Sequence, residues 1–221
     1  MTLEDVYDED GKPTLRGVLH QWGALFALVA GVGMVWSAPT GRTALCAAAF
    51  ASTMVTLLVV SATYHRFEWV PPALGLMRRL DHAAIFLFLA GTYTPVALLG
   101  LPAEVGPRVL LMACGVASVG IAVELFWPKP PKVFTALCAA AGGWLIVPYV
   151  QEVKHSFGDL GCALMIAGGV SYTLGGVAYT LKRPNPRPNV FGYHEVFHLL
   201  VILGAALHFI AILRLIRATG V

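Results

Sequence analysis

The chain has 221 residues, 57% hydrophobic and 12% charged, with a formal net charge of +3 and a mean hydropathy of +0.74. So few charges cannot clothe a water-soluble surface, which excludes a soluble globular protein and leaves a helical membrane protein. Nothing in the charge pattern offers the basic, aromatic-interleaved footprint of a nucleic-acid binder.

The first sixteen residues, MTLEDVYDEDGKPTLR, are polar and acidic where a targeting segment would be basic and then apolar, and the run Glu4, Asp5, Asp8, Glu9 and Asp10 reads as a solvated cytoplasmic tail. Residues 17–221 read as one membrane domain. Apolar segments follow at 17–36, 43–64, 81–100, 107–127, 132–150, 160–181 and 194–216, each long enough to cross a hydrocarbon core of about 30 Å. Breakers separate them: Pro39-Thr40-Gly41, Pro71-Pro72, Leu101-Pro102, the prolines around Lys129, the Gly158 region, and Arg183-Pro184-Asn185-Pro186-Arg187-Pro188. The expected fold is an all-α bundle of seven transmembrane helices. Ten Lys and Arg fall on the N-terminal side and five on the other, which predicts a cytoplasmic N-terminus and an external C-terminus in a multi-pass protein of the bacterial plasma membrane. Cys46, Cys114, Cys138 and Cys162 form no C-x-x-C pair and read as buried thiols.

This topology sends three polar stretches to one face. Ser61 and His65 close the second segment, Asp81 and His82 open the third, and His194, Glu195 and His198 open the seventh. Histidines 194 and 198 stand four apart, so they project from one side of a helix and can grip one cation. With His65 they make a three-imidazole site with an open fourth position, the donor set of catalytic zinc. Asp81 then stands beside the metal-bound water or a ligating imidazole, able to accept a proton, and Ser61, one turn from His65, can hold that water or a substrate oxygen. The sequence "HEVFH" also spells H-E-x-x-H, in which Glu195 would be the base; its side chain leaves the helix about 100° from His194, and Asp81 competes for the role. His20 and His82 share the layer as a possible fourth ligand or proton relay. Glu124 is read as snorkelling to the interface rather than lining a cavity, and His208 as packed or hydrogen-bonded deeper in the bundle. Gly168, Gly169, Gly175 and Gly176 allow close helix contacts in the sixth segment.

The stretches "SATYHRF", "RRLDHAAIFLFLAGTYTPVAL", "LKRPNPRPNVFGYHEVFHLLVILGAALHF" and "RGVLHQWGALFAL" resemble bacterial hemolysin III proteins. These form the prokaryotic branch of the progestin and adipoQ receptor family, which includes the adiponectin receptors and is more distantly related to alkaline ceramidases. The likeness spans all seven segments. It implies a seven-helix bundle with the N-terminus inside and a zinc ion held near the cytoplasmic face by three histidines, matching His65, His194 and His198. The family's aspartate, which engages the zinc-bound water, matches Asp81, and its serine matches Ser61.

Three functions compete on this reading. The leading one is a zinc-dependent hydrolase of a lipid amide or ester, with membrane lipids as substrate. The second is a receptor-like sensor or regulator of membrane lipid in which the zinc is structural. The third is a pore-forming hemolysin, which the position of the polar residues at one end of the segments supports poorly.

Overall fold

A computed structural model describes residues 13–127 and 129–219. The acidic run of the tail lies outside the described residues. Seven α-helices follow in order: α1 (Val18–Trp36), α2 (Gly41–Arg66), α3 (Pro71–Gly100), α4 (Gly106–Phe126), α5 (Lys132–Gly143), α6 (Val150–Leu181) and α7 (Tyr193–Ala218), with a 3-10 segment, Trp144–Tyr149, between α5 and α6. Among the described residues six stretches are long and apolar enough to cross a membrane, the fifth being the 50-residue run Lys132–Leu181.

A straight helix of that length would measure about 75 Å, more than twice the hydrocarbon thickness. It folds back instead. Gly158 leaves the helical region at φ 70°, ψ 173°, a conformation that only glycine adopts freely. The two arms return side by side: Trp144 Nε1 donates to Thr173 Oγ1 at 3.0 Å, and a Cβ on Gly176 would lie 3.8 Å from Ala136. The run thus accounts for two of the seven expected segments, broken where the sequence places the break.

The start of the third segment needs correction. Helix α3 begins at Pro71, ten residues before the expected 81. Pro71-Pro72, read as a breaker, starts the helix, because proline fits the first turn, where its missing N–H has no partner to lose. Asp81 and His82 therefore sit nearly three turns inside α3 instead of opening it. At 30 residues α3 is about 45 Å long, so its Arg78–Arg79 end reaches past the hydrocarbon.

Sequence neighbours pack most extensively, α1 on α2, α2 on α3, α3 on α4 and α6 on α7, while α7 also touches α1, α2 and α3 and so closes the bundle. Small residues set these distances. Gly168 meets His208 and Gly175 meets Leu200, both on α7, while Gly169 faces Trp144 across the hairpin. Gly106 starts α4 directly against the Ala97 carbonyl. Gly106→Ala is expected to lower stability by about 1–3 kcal/mol, because backbone cannot move aside for the new methyl; thermal unfolding in detergent measures it. Cys46 and Cys162 are buried, but Cys114 and Cys138 are only half-buried, and all four are free. The end of the expected tail is also not a solvated extension: Thr14 and Leu15 donate backbone hydrogen bonds to Asn189 and Val190 at 3.1 and 3.2 Å, and Arg16 is 4% exposed.

Candidate functional site

The last turn of α2 and the first two turns of α7 bring three imidazoles together. His65 and His198 are buried and His194 is half-buried. One ring nitrogen from each lies within 4.8 Å of the others. His65 Nε2 and His194 Nε2 face each other at 3.2 Å, and the ring centroids are 4.7 Å apart for His65–His194, 5.0 Å for His65–His198 and 4.6 Å for His194–His198. Tetrahedral zinc with nitrogen ligands at about 2.0–2.1 Å spaces those ligands about 3.3 Å apart. Three imidazoles with one nitrogen each so close together, and with His198 Nδ1 buried without a hydrogen-bond partner, fit a divalent cation. The cluster can hold a metal ion.

Asp81 reaches the same point from α3. Its Oδ2 stands 3.7 Å from His65 Nε2, and Ser61 lies beside its carboxylate. The five expected site residues, His65, His194, His198, Asp81 and Ser61, therefore meet at one end of the bundle. The i,i+4 spacing of Ser61 and His65 puts both on the face of α2 that looks at α3 and α7. Gly17 closes the site from above: a Cβ there would lie 2.7 Å from His65 Cβ, and its φ of 78° is one that side chains rarely take. A cavity of about 580 Å³ adjoins the cluster. Ser61, Asp81 and His194 line it at this end, and apolar side chains such as Leu57, Phe88, Val147 and Val201 line most of the rest.

Three further polar groups at this end, His20, Glu195 and Glu124, have surroundings that the sequence does not disclose. His20, 2% exposed, stacks on His198 with ring centroids 3.8 Å apart and planes inclined by 15°; beyond that contact neither ring nitrogen has a hydrogen-bond partner. Glu195 does not face the cluster. Its Oε1 accepts from Arg16 Nε at 2.6 Å, and its Oε2 accepts from the Gly192 N–H at 2.8 Å, capping α7. Glu124 does not snorkel: it is 0% exposed, held by His82 Nδ1 at 3.1 Å and by the Thr135 hydroxyl. An acid inside an apolar segment signals a buried partner, but only the fold names it. Deeper in the bundle His208 Nε2 donates to the Met165 carbonyl at 3.0 Å, as expected of a hydrogen-bonded histidine.

Fold and site together define a multi-pass, all-helical integral membrane protein with a buried trihistidine cluster at one end of its bundle. The sequence pattern described as Haemolysin-III related matches residues 10–209. The chain belongs to that family, as the motifs suggested, and its place is the bacterial plasma membrane. It is similar to "Hemolysin-3" of Bacillus cereus, 28% identical over 93% of this chain and 92% of that one. The "Hemolysin-3 homolog" of Bacillus subtilis is 27% identical over 74% of each. A plant protein, "Heptahelical transmembrane protein ADIPOR2" of Oryza sativa subsp. japonica, is 28% identical over 72% of this chain and 76% of its own length.

Proposed function

We propose that the protein is a zinc-dependent hydrolase of a lipid amide or ester, with His65, His194 and His198 as the metal ligands. The observation that carries this is the juxtaposition of a trihistidine cluster, a buried carboxylate and a largely apolar cavity at one place. Zinc bound there would supply Lewis acidity, polarising a carbonyl and easing deprotonation of water near neutral pH. The chain's own groups do the rest. The apolar walls take the hydrocarbon of the substrate and exclude bulk water, which leaves the scissile carbonyl at the polar end. Asp81 accepts the proton of the attacking water, and the Ser61 hydroxyl beside that carboxylate helps to hold it near His65.

Asp81→Asn keeps the size of the side chain and most of its hydrogen bonds but removes the base. Turnover of the best lipid substrate is expected to fall by about 10²–10⁴ while zinc content stays at the wild-type level; lipid mass spectrometry and metal analysis on one preparation measure both. Loss of zinc with turnover would instead make Asp81 a support of the ligands, and zinc-loaded wild type inert toward ceramides and acyl esters would defeat the hydrolase reading. In that case the rival is a lipid sensor with structural zinc. A pore is disfavoured: the buried charged residues among those described, Arg16, Asp81, Glu124 and Glu195, gather at one end, where a water-filled path needs polar groups along its whole length.

A further inference from the structure

We infer that His82, held by Glu124, is a second catalytic residue, one that protonates the leaving group while Asp81 deprotonates the water; this rests on the hydrolase reading and adds a role to it. Hydrolysis of a lipid amide needs two proton movements. The attacking water must lose a proton as its oxygen bonds to the carbonyl carbon, and the nitrogen must gain one as the C–N bond breaks, because an amide anion is far too basic to leave. Asp81 answers the first need, and none of the three metal-binding imidazoles is free to answer the second.

His82 is the next residue along α3 and lines the same cavity as Asp81. Its Nδ1 lies 3.1 Å from Glu124 Oε2. Glu124 comes from α4, 42 positions away, and its other oxygen accepts from the Thr135 hydroxyl on α5. Both carboxylate oxygens are therefore engaged by groups of the chain, and the residue is 0% exposed. A carboxylate that takes Nδ1–H fixes the ring and its tautomer, leaving Nε2 as the nitrogen that exchanges protons. The ring also has a link to the site: the His82 and Tyr179 rings are perpendicular with centroids 6.4 Å apart, and Tyr179 in turn meets His194 at 5.5 Å. A carboxylate inside an apolar helix is costly unless it is partnered, and Glu124 meets His82 and Thr135 as hydrogen-bond partners.

The protons balance over one turnover. His82, protonated on both nitrogens, gives its Nε2 proton to the leaving nitrogen as the C–N bond breaks, and the amine departs neutral. Asp81 holds the proton taken from water and passes it to His82, which restores both groups. The products are a fatty acid and an amine, and no oxidant, reductant or further reactant enters. Glu124 is a positioning residue; it never meets the substrate.

The test compares two substrates of one acyl chain on purified, zinc-loaded protein: an N-acyl amide, whose nitrogen must be protonated to leave, and the p-nitrophenyl ester, whose phenolate leaves unaided. His82→Gln and Glu124→Gln are expected to lower kcat/KM for the amide by about 10²–10³ and for the ester by less than about 10-fold. The ratio of the two rates is read within each preparation, so a smaller folded fraction lowers both equally and cancels. Equal losses on both substrates, or an unchanged ratio in both variants, would overturn the assignment of His82 and leave the hydrolase intact. Wild type that cleaves neither substrate would overturn both.

Discussion

Detergent-purified protein is expected to carry about one zinc per chain, and His65→Ala or His198→Ala to reduce that to less than about a tenth. On the proposed ligand set each substitution removes one of three imidazoles, and two imidazoles hold a cation poorly against water. His65 is the more decisive of the pair, because it is the one imidazole of the cluster that comes from α2, and its Nε2 faces His194 at 3.2 Å. Elemental analysis of the three proteins side by side measures the effect. His20→Phe keeps an aromatic ring stacked on His198 but offers no nitrogen, and it is expected to keep the zinc. Loss of metal from that variant would make His20 a fourth ligand and the site a closed, structural one, which would favour the sensor over the enzyme.

Much of this arrangement was legible in the chain itself. Hydropathy alone separates the crossings, since a bilayer demands long apolar stretches and punishes anything else. The pairing of His194 with His198, and of Ser61 with His65, follows from helical spacing. Parity of the crossings then puts both pairs and Asp81 at one end of the bundle. Helix rotation is what the sequence does not disclose. Glu195 lies one residue from His194 and belongs to the same motif, yet it turns away from the cluster to meet Arg16, 179 positions earlier in the chain. Glu124 finds His82 and Thr135 for the same reason: α3, α4 and α5 are turned so that their three polar groups coincide. Thr135 carries no signal in the sequence at all. The start of α3 was misplaced because Pro71-Pro72 can end one helix or begin another, and only the helix that follows decides which.

The largest effect on stability is expected at Glu195. Glu195→Ala leaves the Arg16 guanidinium buried without its partner and removes the acceptor that caps α7. Breaking a buried pair from one side costs about 3–5 kcal/mol, which for a chain of this size lowers the melting midpoint by roughly 6–20 °C. Removing both charges is a different perturbation. In Arg16→Met/Glu195→Met neither side chain is left uncompensated, the apolar replacements refill the space, and much of the loss is expected to return, since well-packed apolar pairs often match buried ionic ones. The double variant should therefore melt above either single one, a coupling that thermal unfolding in one detergent resolves. The same experiment decides what the glutamate of H-E-x-x-H does here. A catalytic base must offer an oxygen to water, and both oxygens of Glu195 are already spent, one at 2.6 Å from Arg16 Nε and one at 2.8 Å from the Gly192 amide. Glu195→Gln is accordingly expected to be less stable than wild type while the protein that remains folded keeps its turnover per zinc. A Glu195→Gln protein of unchanged melting midpoint and abolished turnover would return the base to Glu195 and take it from Asp81.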